Sequence, residues 1–304
     1  EAAVERYLAD AVGGRDPADV AGLHAVMDGV LFGNPSAKAA VDVAIHDLLG
    51  KHLGVPVWVL LGGCFRDRVA VTRAVGMGSD SQVVAAACTA AARGFRVVKL
   101  KAGTRPEDDV RRVRAVREAI GPGPQIRVDA NGGYCTAREA IAALRAMEGL
   151  GVDLAEQPVS RFDLEGLAAI RRATAIPVLV DESVHSPEDA LRVIRAQAAD
   201  VISVKVQKAG GLYPAMRVVA VADAAHVPVT VGSWSESGLG SAANLHLIAA
   251  IRHLAYPCDL KGPDTFTVDI VREPVPIVDG EACVPDGPGL GVTLDDDRLA
   301  RVAV

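Results

Sequence analysis

The chain has 304 residues, 50% of them hydrophobic, a mean hydropathy of +0.25 and a net charge of −6. This composition excludes disorder and describes a filled globular core, large enough for a barrel and a smaller second domain. No Lys/Arg run would hold nucleic acid or an anionic membrane surface, and no apolar run reaches the ~18 residues of a membrane span.

Residues 1–63 read as helices. Glu1-Ala-Ala-Val-Glu-Arg is a polar helical start and not a secretion signal. Ala37–Leu49 reads as a strongly amphipathic helix, and Gly54–Gly63 as a turn-rich link. From Val69 the pattern alternates with a beat of roughly 25–30 residues, the size of one strand-plus-helix unit. Strands are expected near Val69–Val75, Arg96–Lys101, Gln125–Ala130, Val152–Glu156, Val178–Asp181, Val201–Val206, Pro228–Gly232 and His253–Asp259. They are short, β-branched and apolar on both faces, as buried parallel strands are. The intervening helices carry start signals: Ser186-Pro187-Glu188-Asp189, and the capping box Thr136-Ala-Arg-Glu139. Ser237–Ile251 reads as a helix, and Val275–Val284 as a hairpin that packs with the N-terminal helices. The division expected is a helical cap segment 1–63, an α/β barrel 64–262 and a segment 263–304 that returns to the cap. The five cysteines are irregularly spaced with no CxxC, which suits reduced thiols in a cytoplasmic protein.

Three acids close three successive strands: Asp129, Glu156 and Asp181. In a parallel barrel these strand ends share one mouth. Alone, each could cap a helix or pair with an arginine; as a set they would repel one another unless a cation lay between them. Hard carboxylate oxygens suit Mg²⁺, with Mn²⁺ a possible substitute. Asn131 points the same way as Asp129 and is a candidate for the ligand shell, whereas Glu182 should face outward on a regular strand unless the strand end turns it in. Lys99 and Lys101 leave one face of an apolar strand, and burying both unpaired would be costly, so they must meet anions. A neighbouring cation and desolvation make Lys101 a candidate base near neutral pH. Lys205 lies across the mouth, able to reach the opposite face of a bound substrate. Lys208, at the Gly210-Gly211 turn, is read as structural or phosphate-facing. The histidines show no ligand spacing, and His185 is read as a loop or helix-start residue.

Val-Lys99-Leu-Lys101, Val-Asp129-Ala-Asn131-Gly, Ala-Glu156-Gln-Pro, Val-Asp181-Glu-Ser and Lys205-Val-Gln-Lys208-Ala-Gly-Gly occur in this order over most of the barrel. In these segments the chain resembles the enolase superfamily, and within it the muconate lactonizing enzyme (muconate cycloisomerase) subgroup. The resemblance implies a (β/α)7β TIM-like barrel with a small capping domain, an essential divalent metal held by Asp129, Glu156 and Asp181, and a homo-oligomer. It also implies an acid/base pair of Lys101 and Lys205, with Lys99 tuning Lys101. The mandelate racemase branch uses a late histidine–aspartate dyad. Here the seventh strand runs into Gly232-Ser-Trp-Ser-Glu236 without a histidine, and Glu236 matches a glutamate often found near the site in muconate-type relatives. Family members normally begin with a β-rich part of the cap, which is not found in this chain. Dipeptide epimerases of the group carry Asp-x-Asp at the last strand, where this chain has Asp259-Leu-Lys261. Lys261 is either a surface residue or a partner for a substrate carboxylate.

The expected function is Mg²⁺-dependent abstraction of the α-proton of a small-molecule carboxylate to give an enediolate. Racemisation or epimerisation, cycloisomerisation and dehydration all share that intermediate. Two lysines on opposite faces favour isomerase chemistry. A Schiff-base aldolase or a non-catalytic barrel are the rival readings, and neither needs three acids on consecutive strands.

Overall fold

The computed structural model describes residues 1–261 and 266–302. The expected boundary between residues 262 and 263 lies outside the described residues. Seven parallel strands run in chain order: β1 (Arg68–Val75), β2 (Val97–Lys101), β3 (Gln125–Asp129), β4 (Val152–Glu156), β5 (Val178–Val180), β6 (Val201–Val204) and β7 (Val229–Val231). Their helices pack outside, as right-handed strand–helix–strand units require. The eighth strand, β8 (Cys258–Asp259), pairs in parallel with β1, and Leu254 forms a parallel bridge to Val229 of β7, which closes the barrel. Closure therefore rests on a two-residue strand and one bridge, not on the longer strand expected over His253–Asp259.

The alternation of each strand builds two cores. Outward residues such as Val98, Leu100, Ile126, Val128 and Val180 pack under the helices. Inward, Leu154, Leu179 and Val201 fill only part of the bore, against Tyr256. The rest of the bore is polar. Arg127 of β3 is 1% exposed, and its Nη2 lies 3.1 Å from Oδ2 of Asp153. Asp153 reaches inward because a register shift after Ile126 sets Leu154 opposite Arg127.

The helix Pro35–Leu53 exists as expected, but its inward stripe is not apolar. Lys38, Asp42 and His46 are buried on it beside Ala39 and Gly50. The hairpin also forms, as β9 (Ile277–Val278) and β10 (Glu281–Cys283), around Asp279-Gly280, both with positive φ. It pairs with the barrel, β10 running antiparallel to Arg68–Ala70 of β1. The contact with the N-terminal helices comes later: Gly289 accepts a bond from Val57 N and Leu290 N donates to Asp47 Oδ1 at 2.8 Å. Among the described residues, no helix is long and apolar enough to cross a membrane.

Candidate active site

Register, not proximity in sequence, assembles the site. Lys101 on β2 pairs with Asp129 on β3, and Asp129 pairs with Glu156 on β4, so the three side chains leave the same side at one height. Glu156 pairs with Leu179 on β5, and Asp181 stands two residues further, just beyond the strand end. Lys205 follows β6 and stands just before the short helix Val206–Ala209, which the sequence pattern did not show. A side chain at Gly232 would collide with the Lys205 stem, so the glycine after β7 leaves that lysine its space.

The three acids are buried, at 2–3% exposure. Each meets an ammonium group. Lys99 donates to Asp259 at very short range and to Glu156 Oε2 at 3.1 Å, and lies 3.6 Å from Asp129 Oδ2. Lys101 donates to Asp129 Oδ2 at 2.8 Å and to Asn131 Oδ1 at 2.5 Å. Lys205 donates to Asp181 Oδ2 at very short range, and Lys208 to Asp181 Oδ1 at 2.7 Å and to the Ser203 carbonyl at 3.0 Å. Lys99 and Lys205 thus reach the site from β2 and β6, with Glu156 between them. Lys208 is wholly engaged by protein oxygens.

The electrostatics follow from burial and these partners. Burial, with the charges of Asp129, Asp259 and Asp181, pushes the Glu156 carboxyl up to about 7 against the pull of Lys99. Burial opposes ionisation of Asp181 too, but Lys208 and Lys205 outweigh it and hold that carboxyl well below the usual range. Burial works against charge on Lys99, yet Asp259, Glu156 and Asp129 raise its pKa well above the ordinary lysine value. For Lys205, Asp181 and Glu156 likewise overcome burial and raise its pKa. Lys99 and Lys205 are both held as cations by these contacts, and Lys205 becomes free to take a proton only when its contact with Asp181 loosens.

The remaining candidates fall into two groups. Glu182 does not face away: because β5 ends at Val180, it turns in and accepts a bond from Asn131 Nδ2 at 2.8 Å, joining the Lys101 network. Glu236 is buried but occupied by its own loop, accepting from Ser233, Trp234 N and Gln207 Nε2. Lys261 is half-buried; its backbone N–H donates to Ser233 Oγ at 3.3 Å. His185 stands at the start of the helix Pro187–Arg195, its N–H bonded to Asp189. Sequence reasoning did not identify Asp259 as the partner of Lys99, nor Arg127, whose Nη1 lies 3.9 Å from Asp259 Oδ1. Arg127 stands inside the apolar strand Gln125–Asp129, but its partner is not apparent from the sequence; Asp259 closes a strand of two residues, too short to show one.

The donor set has the chemistry of a hard divalent ion: carboxylates from successive strand ends, nearly dry, with mutual repulsion unrelieved at Glu156. Among the described residues no three acid, histidine or cysteine side chains converge at ligand distances. The ammonium groups of Lys99 and Lys205 lie against the carboxylates instead. The residues fit the ion in type, and gathering them around one requires these lysine contacts to loosen.

Comparison with known proteins now bears on the same residues. Residues 1–62 match the mandelate racemase / muconate lactonizing enzyme N-terminal domain, and residues 82–298 match the enolase C-terminal domain-like family. The chain belongs to the muconate lactonizing enzyme group of the enolase superfamily. It is 34% identical to the N-succinyl-L-Arg/Lys racemase of Bacillus cereus over 99% of this chain and 81% of the relative. It is 38% identical to muconate cycloisomerase 1 of Rhodococcus opacus, over 98% of this chain and 80% of the relative. The crystal structure of 2-chloromuconate cycloisomerase from Rhodococcus opacus 1CP superposes with a TM-score of 0.95 at 34% identity, covering 99% of this chain and 82% of that one. The TIM-like α/β fold is thereby shown. This member of the superfamily is a metal-dependent isomerase that removes the α-proton of a small-molecule carboxylate.

Proposed function

We propose that the enzyme racemises or epimerises an N-acylated amino acid, with Lys101 and Lys205 as the two bases. The supporting observation is their placement: Lys101 lies 2.8 Å from Asp129 on one flank of the carboxylate row, and Lys205 contacts Asp181 on the other. A substrate carboxylate directed to the row presents its α-carbon between two amines. One lysine takes the proton from one face and the other returns a proton to the opposite face. Lys99, held as a cation by Asp259, adds fixed positive charge beside the developing oxyanion. The ligands of the metal are Asp129, Glu156 and Asp181, with Asn131 and Glu182 ordering Lys101 beside them. The ion is Mg²⁺, replaceable by Mn²⁺; when bound it supplies positive charge that acidifies the α-proton. Lys261 replaces the second acid of the Asp-x-Asp that dipeptide epimerases carry, and a lysine there suits an anionic substrate tail over a dipeptide.

Cycloisomerisation of a muconate is the second reading, favoured by the relatives that carry that name. We also propose a cytoplasmic homo-oligomer, on the unpaired cysteines and on exposed apolar residues such as Phe32 and Trp234.

The test is α-proton exchange in D₂O with Mg²⁺, followed by mass spectrometry. Both enantiomers of N-succinylarginine are supplied, and cis,cis-muconate is run beside them. Lys101→Ala and Lys205→Ala should each lower exchange at least ~100-fold, for opposite enantiomers. Normal exchange in both variants would overturn the lysine assignment. Lactone formation without amino-acid exchange would transfer the conclusion to the cycloisomerase reading.

A further inference from the structure

The helix Leu212–Ala224 begins at Gly211, which has no side chain to cap it. The missing acceptor comes from another part of the chain. Asp42, on the inward stripe of Pro35–Leu53, accepts from Leu212 N at 2.5 Å and from Tyr213 N at 3.4 Å. It is 0% exposed, and a Cβ on Gly211 would stand only 2.3 Å from its Cγ. His24 Nε2 lies 2.7 Å from Asp42 Oδ2, and its ring packs on Tyr213 at 5.3 Å between centroids. His46 lies 3.3 Å from Asp42 Oδ1. A buried carboxylate fastened on both sides is a far stiffer cap than an exposed serine.

The fastening leads back to the site. Ala209 N donates to the Lys205 carbonyl, and Gly210 N and Gly211 N both donate to the Val206 carbonyl. Main-chain bonds thus tie Lys205 and Val206 to the turn up to Gly211, the residue directly before the amide that Asp42 holds. The Lys205 stem runs close over Gly232, where an added Cβ would stand 2.5 Å from its Cε, and its amine meets Asp181, so the turn that follows Lys205 helps set where that amine sits.

We propose that Asp42 is a positioning residue for Lys205: the N-terminal helical segment fixes one of the two bases from outside the barrel while leaving Lys101 untouched. The inference rests on Lys205 acting as a base. Its mark is therefore asymmetry between the two stereochemical half-reactions, which a general loss of stability does not produce.

Two variants approach the contact from either side: Asp42→Asn, which keeps the volume, and Gly211→Ala, which pushes the carboxylate away. Hydrogen exchange of the full chain is followed in peptides covering 206–213 and 97–104. Exchange should rise at least tenfold in the first and change less than twofold in the second. N-succinyl-D- and N-succinyl-L-arginine are the activity probes. The enantiomer whose exchange is abolished by Lys205→Ala should lose at least tenfold in kcat, the other less than threefold. An equal loss for both enantiomers, or unchanged exchange in 206–213, overturns the proposal. If the unaltered enzyme exchanges neither enantiomer, the racemase reading fails, and the hydrogen-exchange comparison alone decides whether Asp42 holds the turn. Should one variant not fold, the other carries both measurements.

Discussion

At the scale of single residues, the polar bore sets the terms for the site above it. Arg127 and Asp153 form an ion pair at 3.1 Å with side chains only 1–2% exposed. Among the described residues, Arg127 Nε and Asp153 Oδ1 have no hydrogen-bond partner. Breaking such a pair strands a buried charge, whereas removing both charges does not. Arg127→Met should therefore cost about 3–5 kcal/mol in chemical denaturation. Arg127→Met with Asp153→Leu should recover most of the loss, and equal losses in the single and double variants would contradict this account. The acids at the mouth were legible in the sequence because each closes an apolar strand and can only be there for a partner. Arg127 was not: its partner is brought inward by a register shift, which leaves no trace in composition. For Glu182 the alternation alone left two orientations open, outward on a regular strand or inward at its end, and it turns in because β5 stops at Val180.

Among the elements, the buried helix Gly238–Ala250 carries a titratable group far from the mouth. Burial pulls His246 down to about 4, against a weak opposing contribution from Leu290 and Asp47. Its Nδ1 accepts from Trp58 N at 3.3 Å, which needs the neutral ring. The unfolded chain takes up a proton as pH falls through about 6.5, while the folded ring resists until about 4. Stability from this residue is therefore present at pH 7 and is lost progressively as pH falls between these values. Going from pH 7 to pH 5 should cost the native sequence about 2 kcal/mol more than His246→Gln, read from paired denaturation curves. Equal pH slopes would show that the ring is already solvated. Helix existence was largely readable from caps: Ser186 accepts from Asp189 N, and Thr136 from Glu139 N, as their spacing suggested. Which face of Pro35–Leu53 turns inward was less so. Asp42 and His46 are buried there because a helix start more than 160 residues on requires an acceptor, and no local pattern encodes that demand.

For the molecule as a whole, the (β/α) beat revealed the barrel, because each unit repeats the same buried-strand signal. How it closes depended on chain segments too short to carry one: two residues of β8 and the Leu254 bridge. The site is a balance of opposed charges, and a divalent ion should shift it. Titrating Mg²⁺ into metal-free enzyme should raise the Tm, with stabilisation of about 2.7 kcal/mol at a hundred times Kd. Asp181→Asn should weaken that response and EDTA should reverse it; a Tm indifferent to Mg²⁺ would remove the carboxylate row from consideration as ligands. β1 has one further consequence. Its opening residues, Arg68–Ala70, pair with Glu281–Cys283, and its middle with β8, stretches made long after it. During synthesis on the ribosome, this margin of the nascent sheet stays raw until residues 258–283 have been made. Translation products stalled before Glu281 should therefore seek each other's margins and associate, a hazard that ends when the β9–β10 hairpin pairs with β1.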